Sequence, residues 1–190
     1  SLIPTYGAVR TRLQDSVIGA GASSDFNSAE GVLFFEGSSS VEGANRQLGI
    51  SDGSSSNRVI ITLRPDNETI RFYYEGTIGG NVLIDSAGHN FNNTLKIACK
   101  YKSGDIALWI NGVEVGTSTS AITASNLNVL DFYNVASSAL VFYGKTSQVQ
   151  VFKTALSDFE FNVDVAWKTV NTSWDAYEIL PTTPNHEFYT

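Results

Sequence analysis

Leu95-Lys-Ile-Ala-Cys-Lys-Tyr-Lys-Ser-Gly-Asp-Ile-Ala-Leu-Trp-Ile-Asn-Gly112 reads as two strands joined by a tight turn. A two-residue loop at Ser103-Gly104 pairs Lys102 with Asp105 and Tyr101 with Ile106. Successive side chains of a strand point to opposite faces, so Leu95, Ile97, Cys99, Tyr101, Ile106, Leu108 and Ile110 share one face. That apolar face is predicted to enter the core. The other face carries Lys96, Ala98, Lys100, Ala107, Trp109 and Asn111. Asn111-Gly112 makes a second hairpin turn into Val113-Glu-Val115. Cys99 falls on the core face, which suits a reduced packing residue and not a nucleophile.

The same alternation extends outward in both directions. Strand formers recur at Val32–Gly37, Arg46–Ser51, Arg58–Arg64, Thr69–Glu75, Asn81–Asp85, Asn128–Tyr133, Leu140–Tyr143 and Ser147–Phe152. Clusters such as Asp52-Gly-Ser-Ser-Ser56, Pro65-Asp-Asn67 and Gly79-Gly80 separate them with turn chemistry. Short strands at this spacing predict an all-β antiparallel sandwich of the jelly-roll kind. Ser157-Asp-Phe-Glu160 has the form of a capping box. Leu156, Phe159, Val163, Ala166 and Val170 follow it at helical spacing, which predicts one short helix from Asp158 to Lys168. Residues 1–29 read as an arm wrapping the sandwich and 171–190 as an irregular tail, all within a single domain of residues 1–190.

Composition excludes several functions. With 19 acidic and 12 basic side chains the net charge is −7, leaving no basic excess for nucleic acid. One Cys cannot form an internal disulfide. Only two His, at 89 and 186, leave little material for a zinc site or a histidine-based triad. The longest apolar runs, such as Ile106–Ile110, are about five residues, too short to insert in a membrane. A chain of 190 residues without Met suggests an excised domain or a processed product of a longer protein.

Three stretches carry a family resemblance. The first is Glu30-Gly-Val-Leu-Phe-Phe35 with Ile50-Ser-Asp-Gly53 and Asn57-Arg-Val-Ile60. The second runs from Leu95 to Gly116. The third is Phe142-Tyr-Gly-Lys-Thr-Ser-Gln-Val-Gln-Val-Phe-Lys-Thr-Ala-Leu-Ser-Asp-Phe-Glu160. Together they resemble the concanavalin A-like, laminin-G-like jelly roll, in the version found in phage tail and virion proteins and in bacterial surface proteins. Tyr6-Gly-Ala-Val-Arg-Thr-Arg12 is similar to the start of the phage-type module. In the third stretch Gly144 permits a bend between strands, Val149 and Val151 enter the core, and the capped helix plugs an open end. The resemblance implies a glycan or host receptor as partner, and a virion or extracellular, cell-surface location. It also makes a homotrimer through a parent fibre a candidate assembly. It names no ligand, since one fold hosts many functions.

Catalysis by a glycosidase needs two carboxyl groups roughly 5–9.5 Å apart. The Glu-x-Asp-x-x-Glu strand of laminarinase-like relatives is absent, and no strand places a His among Tyr and Arg as polysaccharide lyases do. Asp66 and Glu68 read as a solvated turn, and His89 as a surface-loop residue. The chain is therefore expected not to be an enzyme. Laminin-G and lectin relatives often bind calcium through loop Asp and Asn, which makes Asp25, Asp52 and Asp131 candidate ligands. The same residues stabilise turns without metal. No cofactor is required.

A sugar is held by an exposed aromatic ring with amide, carboxylate and guanidinium groups beside it. Trp109, on the non-core face opposite the small Ala98, fits the first need, with Lys96, Lys100 and Asn111 on its face. Arg71, Tyr73 and Glu75 are the non-core residues of the Phe72-Tyr-Tyr74 strand and are expected to extend that face. Alternatively, Trp109 is covered by the arm or by the tail at Trp174 and Tyr177. Three functions remain open: a glycan- or receptor-binding module, a capping or oligomerisation domain of a fibre, and a glycan-cleaving enzyme.

Overall fold

The computed structural model describes residues 17–39, 43–135 and 139–157, and the backbone of 176–178. The predicted helix over Asp158–Lys168 and most of the tail lie outside the described residues.

Eleven strands run in chain order: β1 Glu30–Ser39, β2 Arg46–Ser51, β3 Arg58–Arg64, β4 Thr69–Gly76, β5 Gly80–Ala87, β6 Leu95–Lys102, β7 Ile106–Ile110, β8 Val113–Ser118, β9 Val129–Asp131, β10 Gly144–Phe152 and β11 Ala176–Glu178. They form two antiparallel sheets, one of six strands in the order β11-β10-β1-β6-β7-β8 and one of five in the order β5-β4-β3-β2-β9. The β6–β7 hairpin has the predicted register. Ala98 lies opposite Trp109, and Asp105 N–H donates to the Lys102 carbonyl at 2.9 Å across the turn.

The core lies between the sheets. Leu33 and Phe35 of β1, Ile97, Cys99 and Tyr101 of β6, and Val149 and Val151 of β10 meet Ile50, Ile61, Phe72 and Tyr74 from the facing sheet. Each of these lies on the inward parity of its strand, as the alternation requires. The Cys99 thiol is fully enclosed, and burial raises its pKa well above the usual thiol range. A thiol held protonated in the core is a poor nucleophile.

The structure departs from the predicted elements in two places, one of them β11, a strand within the tail read as irregular. Residues 140–143 are not a strand. Leu140 adopts φ 56°, which breaks the extended backbone. Its carbonyl still accepts from Gln47 N–H at 2.9 Å, and Phe142 N–H donates to the Phe132 carbonyl at 2.8 Å. Of these side chains Phe142 alone is buried, and it plugs the core instead of lining a sheet. The Phe142 ring packs edge-on against Phe35, 5.4 Å between centroids, and against Phe132 at 5.5 Å. Gly144 opens β10 opposite Ser39, where an added Cβ would collide with the Ser38 carbonyl. The glycine therefore serves a close approach of two strands, more than a bend.

The link 119–128 carries the chain from the six-stranded sheet to the five-stranded one. Ile122, Ala124 and Leu127 enter the core on the way. Tyr74 clamps the link: its hydroxyl donates to the Ile122 carbonyl at 3.3 Å and accepts from Ala124 N–H at 3.2 Å.

Candidate functional site

The two outer faces differ in character. On the six-stranded sheet, Val32, Phe34, Ala98, Ala107 and Trp109 form a second apolar cluster with Leu156, and Phe152 packs against it. Leu156 belongs to the segment that leaves β10 and folds back over the sheet. Trp109 is therefore 4% exposed, and its ring is not an open platform. Lys100 is buried too, its Nζ 2.8 Å from Asp105 at the far end of the hairpin. Lys96 is half-buried, and exposed Asn111 spends its Oδ1 on Lys96 N–H at 3.0 Å, closing the second turn.

The predicted single face is split by the topology. Trp109, Lys96, Lys100 and Asn111 belong to the six-stranded sheet, whereas Arg71, Tyr73 and Glu75 sit on β4 of the other. The sandwich separates the groups, because both point away from the core on opposite sides. Alternation alone identifies which residues leave the core but not which sheet they leave from.

The outer face of the five-stranded sheet is polar and carries the rest of the candidates. Cross-strand register aligns them in rows. Leu83, Tyr73 and Ile60 make an apolar row across β5, β4 and β3. On one side lie Asn81, Glu75 and Arg58, and on the other Asp85, Arg71 and Thr62. Arg58 Nε donates to Glu75 Oε2 at 2.9 Å, and its guanidinium carbon lies 4.8 Å from the Tyr73 ring centroid. The Tyr73 hydroxyl donates to the same Glu75 oxygen at 2.8 Å. Burial, then donation to the Glu75 carboxylate, raises the Tyr73 phenol above its usual pKa. That favours a neutral positioning phenol over a phenolate nucleophile.

Arg71 grips Asp85 with two parallel bonds, Nε to Oδ1 and Nη2 to Oδ2, each 2.7 Å. Arg64 stands 3.8 Å from Asp85 as well. The Arg71 bond holds the Asp85 carboxyl below its ordinary range against the opposing effect of burial, and Asp85 in turn raises Arg71. Asp85 lies opposite Arg71, four residues from Glu75 along β4. At about 3.4 Å per residue their backbones stand about 14 Å apart along the strands. That backbone spacing is wide for a glycosidase pair, whose carboxyl groups lie roughly 5–9.5 Å apart.

Of the three aspartates considered for calcium, two serve local turns and one ties the arm to a strand. Asp25 accepts from Ala22 N–H at 2.8 Å. Asp52 accepts from Ser54 N–H at 2.9 Å, Ser54 Oγ at 2.6 Å and Asn57 Nδ2 at 2.8 Å. Asp131 accepts from Gly19 N–H at 2.6 Å, tying the arm to β9. Among the described residues no three His, Cys, Asp or Glu converge, and these aspartates stand in separate parts of the fold. His89 is half-buried, with Nε2 2.9 Å from Ser86 Oγ, and burial lowers its pKa. Asn57, which sequence reasoning passed over, joins three loops. Besides Asp52, its Oδ1 receives Thr77 N–H and Oγ1, each at 3.2 Å, and Ser125 N–H at 2.9 Å. Nothing in the sequence distinguishes it from any turn asparagine.

No curated protein matches the chain. Among solved structures, the CBM40 of the Ruminococcus gnavus IT-sialidase, bound to α2,3-sialyllactose, is similar at 17% identity and TM-score 0.64, over 78% of this chain and 92% of that one. The native heptameric SAP-like pentraxin of Limulus polyphemus is similar at 11% identity and TM-score 0.57, over 80% and 72%. Domains LG4-5 of the mouse laminin α1 chain are similar at 12% identity and TM-score 0.53, over 73% and 40%. At such identities the likeness is one of fold. Residues 32–160 match the laminin-G-type family described as the concanavalin A-like lectin/glucanases superfamily, from the first core strand to just past β10. The two-sheet sandwich and this match agree: the chain belongs to the concanavalin A-like lectin/glucanase superfamily.

Proposed function

We propose that the chain is a non-catalytic carbohydrate-binding module that takes its ligand on the outer face of the five-stranded sheet. One observation carries this reading. Tyr73 is flanked by two rigid guanidinium–carboxylate pairs, Arg58–Glu75 and Arg71–Asp85, with exposed Leu83 beside it. Such a face offers apolar surface to sugar C–H groups and fixed acceptors and donors to hydroxyls. The bound sialyllactose of the R. gnavus relative supports a glycan as ligand class. The separation of the two acids, each held by an arginine, speaks against glycan cleavage on this face.

The finer reading places the module on a phage tail, virion or bacterial surface, where it recognises host glycans. It rests on the sequence resemblance alone. Calorimetric titration of the purified chain with a broad oligosaccharide panel tests the ligand class. Binding that is lost in Tyr73→Ala is expected, and no heat with any sugar at millimolar concentration withdraws the proposal.

A second reading, a capping or oligomerisation domain without ligand, is favoured by the occluded Trp109. It expects a stable oligomer by light scattering together with silence toward every sugar.

A further inference from the structure

Within the glycan-binding reading, on which this inference rests, we infer that the ligand is uncharged and lies across β5 and β4, in contrast to an acidic sugar. The argument is one of charge complementarity. The described guanidinium groups on this face are already met by carboxylates: Arg58 by Glu75 at 2.9 Å, Arg71 by Asp85 at 2.7 Å, and Arg64 by Asp85 at 3.8 Å. Recognition of a sugar carboxylate or sulfate uses an arginine fork that has no competing anion. Here the forks are filled from within the sheet. An anionic ligand would meet Glu75 and Asp85 at the same distance as their cations.

The filled pairs still suit a neutral ligand. A carboxylate oxygen that already accepts from arginine keeps acceptor capacity for a hydroxyl. The pairs also sit on both sides of the apolar row, in which Leu83 and Tyr73 reach the surface while Ile60 is buried. A sugar chain running along that row, perpendicular to the strands, would set its C–H faces on the row and its hydroxyl edges on the pairs. Leu83 is 48% exposed at the β5 end, where such a chain would lie most open.

A glycan array of paired oligosaccharides, each neutral sugar with its sialylated, uronate-bearing or sulfated counterpart, tests the inference at low and physiological salt. The expected result is binding of a neutral member with little salt dependence, and no gain from the added acid. Asp85→Asn releases Arg71 and should raise binding of the acidic counterparts by about tenfold or more, the scale of one charge-assisted hydrogen bond. Leu83→Glu, on an exposed position, should weaken the neutral ligand by a similar factor. Wild-type preference for the acidic members, falling with salt, overturns the inference while leaving the glycan reading intact. Failure of Asp85→Asn to gain acid binding overturns the role given to the pairs, and an unchanged affinity in Leu83→Glu overturns the placement across the strands. Silence toward both panels withdraws the glycan reading itself, and this inference with it.

Discussion

Asn57 shows how much one side chain can organise. It is 5% exposed, and its amide bridges Asp52, Thr77 and Ser125 from three separate loops. Removing it takes a buried amide out of four hydrogen bonds to half-buried or exposed partners, and each such loss costs about 0.5–1.5 kcal/mol. Asn57→Ala should therefore lower stability by about 2–4 kcal/mol in urea denaturation, among the larger effects of single substitutions. Asp52 adds a pH dependence to the same cluster. Burial raises its pKa, but hydrogen bonds from Ser54 and Asn57 outweigh that and hold the carboxyl below 3.8. A lowered carboxyl stabilises the fold above its unfolded pKa and loses that contribution as pH falls through the folded one. Asp52→Asn should flatten the acid limb of stability measured by urea midpoints between pH 5 and about 2, by lowering stability at pH 7 toward its acid value. His89 acts on a different window. Its folded pKa is lowered from 6.5 by burial, so protonation opposes the fold. Stability is complete above about pH 6.5 and falls as the pH drops toward the folded value, and His89→Gln should remove that step from the same pH series. At this scale the sequence announced residue types but not partners, since Asn57 and Ser125 are 68 positions apart.

At the scale of elements, the β4–β5 ladder carries the candidate site, and its ion pair is geometrically ideal but open to water. Arg71 and Asp85 side chains are 34% and 40% exposed. Solvent screening limits such a pair to about 1 kcal/mol at most. A double-mutant cycle over Arg71→Ala and Asp85→Ala should give a coupling no larger than that in 0.15 M salt. A coupling of several kcal/mol would show that the pair is far better shielded than its exposure implies. The link 119–128 makes the opposite case. Gly76, which ends β4, faces the Thr123 backbone so closely that any Cβ would clash with it. Gly76→Val must displace the link or the strand, and a loss above about 2 kcal/mol is expected from overpacking of this kind. The strands themselves were legible: β2 and β3 have the bounds that the β-propensity pattern marks out. The link was not, because Thr119–Asn128 has neither period 2 nor period 3.6 and is held by scattered long-range bonds, among them those to Tyr74, Asn57, Ser28 and Ile78.

For the whole molecule, the decisive fact is which sheet each strand joins. Trp109 was read as leaving the core, and it does, but into the second apolar cluster under Leu156. Truncating a buried Trp costs about 3–5 kcal/mol. Trp109→Ala should show that loss in thermal denaturation while the folded protein keeps its sugar affinity. Loss of affinity in the folded variant would place the ligand on the six-stranded sheet and sink the present assignment. The sequence by itself determined the all-β sandwich, the hairpin register around Ser103-Gly104, the core face with Cys99 on it, and the superfamily. The first three follow from local periodicity and turn chemistry, which are written within a few residues of each other; the superfamily was legible as the resemblance of three longer stretches. Only the tertiary structure decided that Arg71, Tyr73 and Glu75 lie on the opposite side from Trp109, and that Glu75 pairs with Arg58 and Arg71 with Asp85. Strand order is set by long-range pairing, β1 with β10 and β2 with β9, and the burial that selects it depends on the whole core at once. Period-2 alternation states that a side chain turns outward; only the order of strands in the two sheets determines what it meets there.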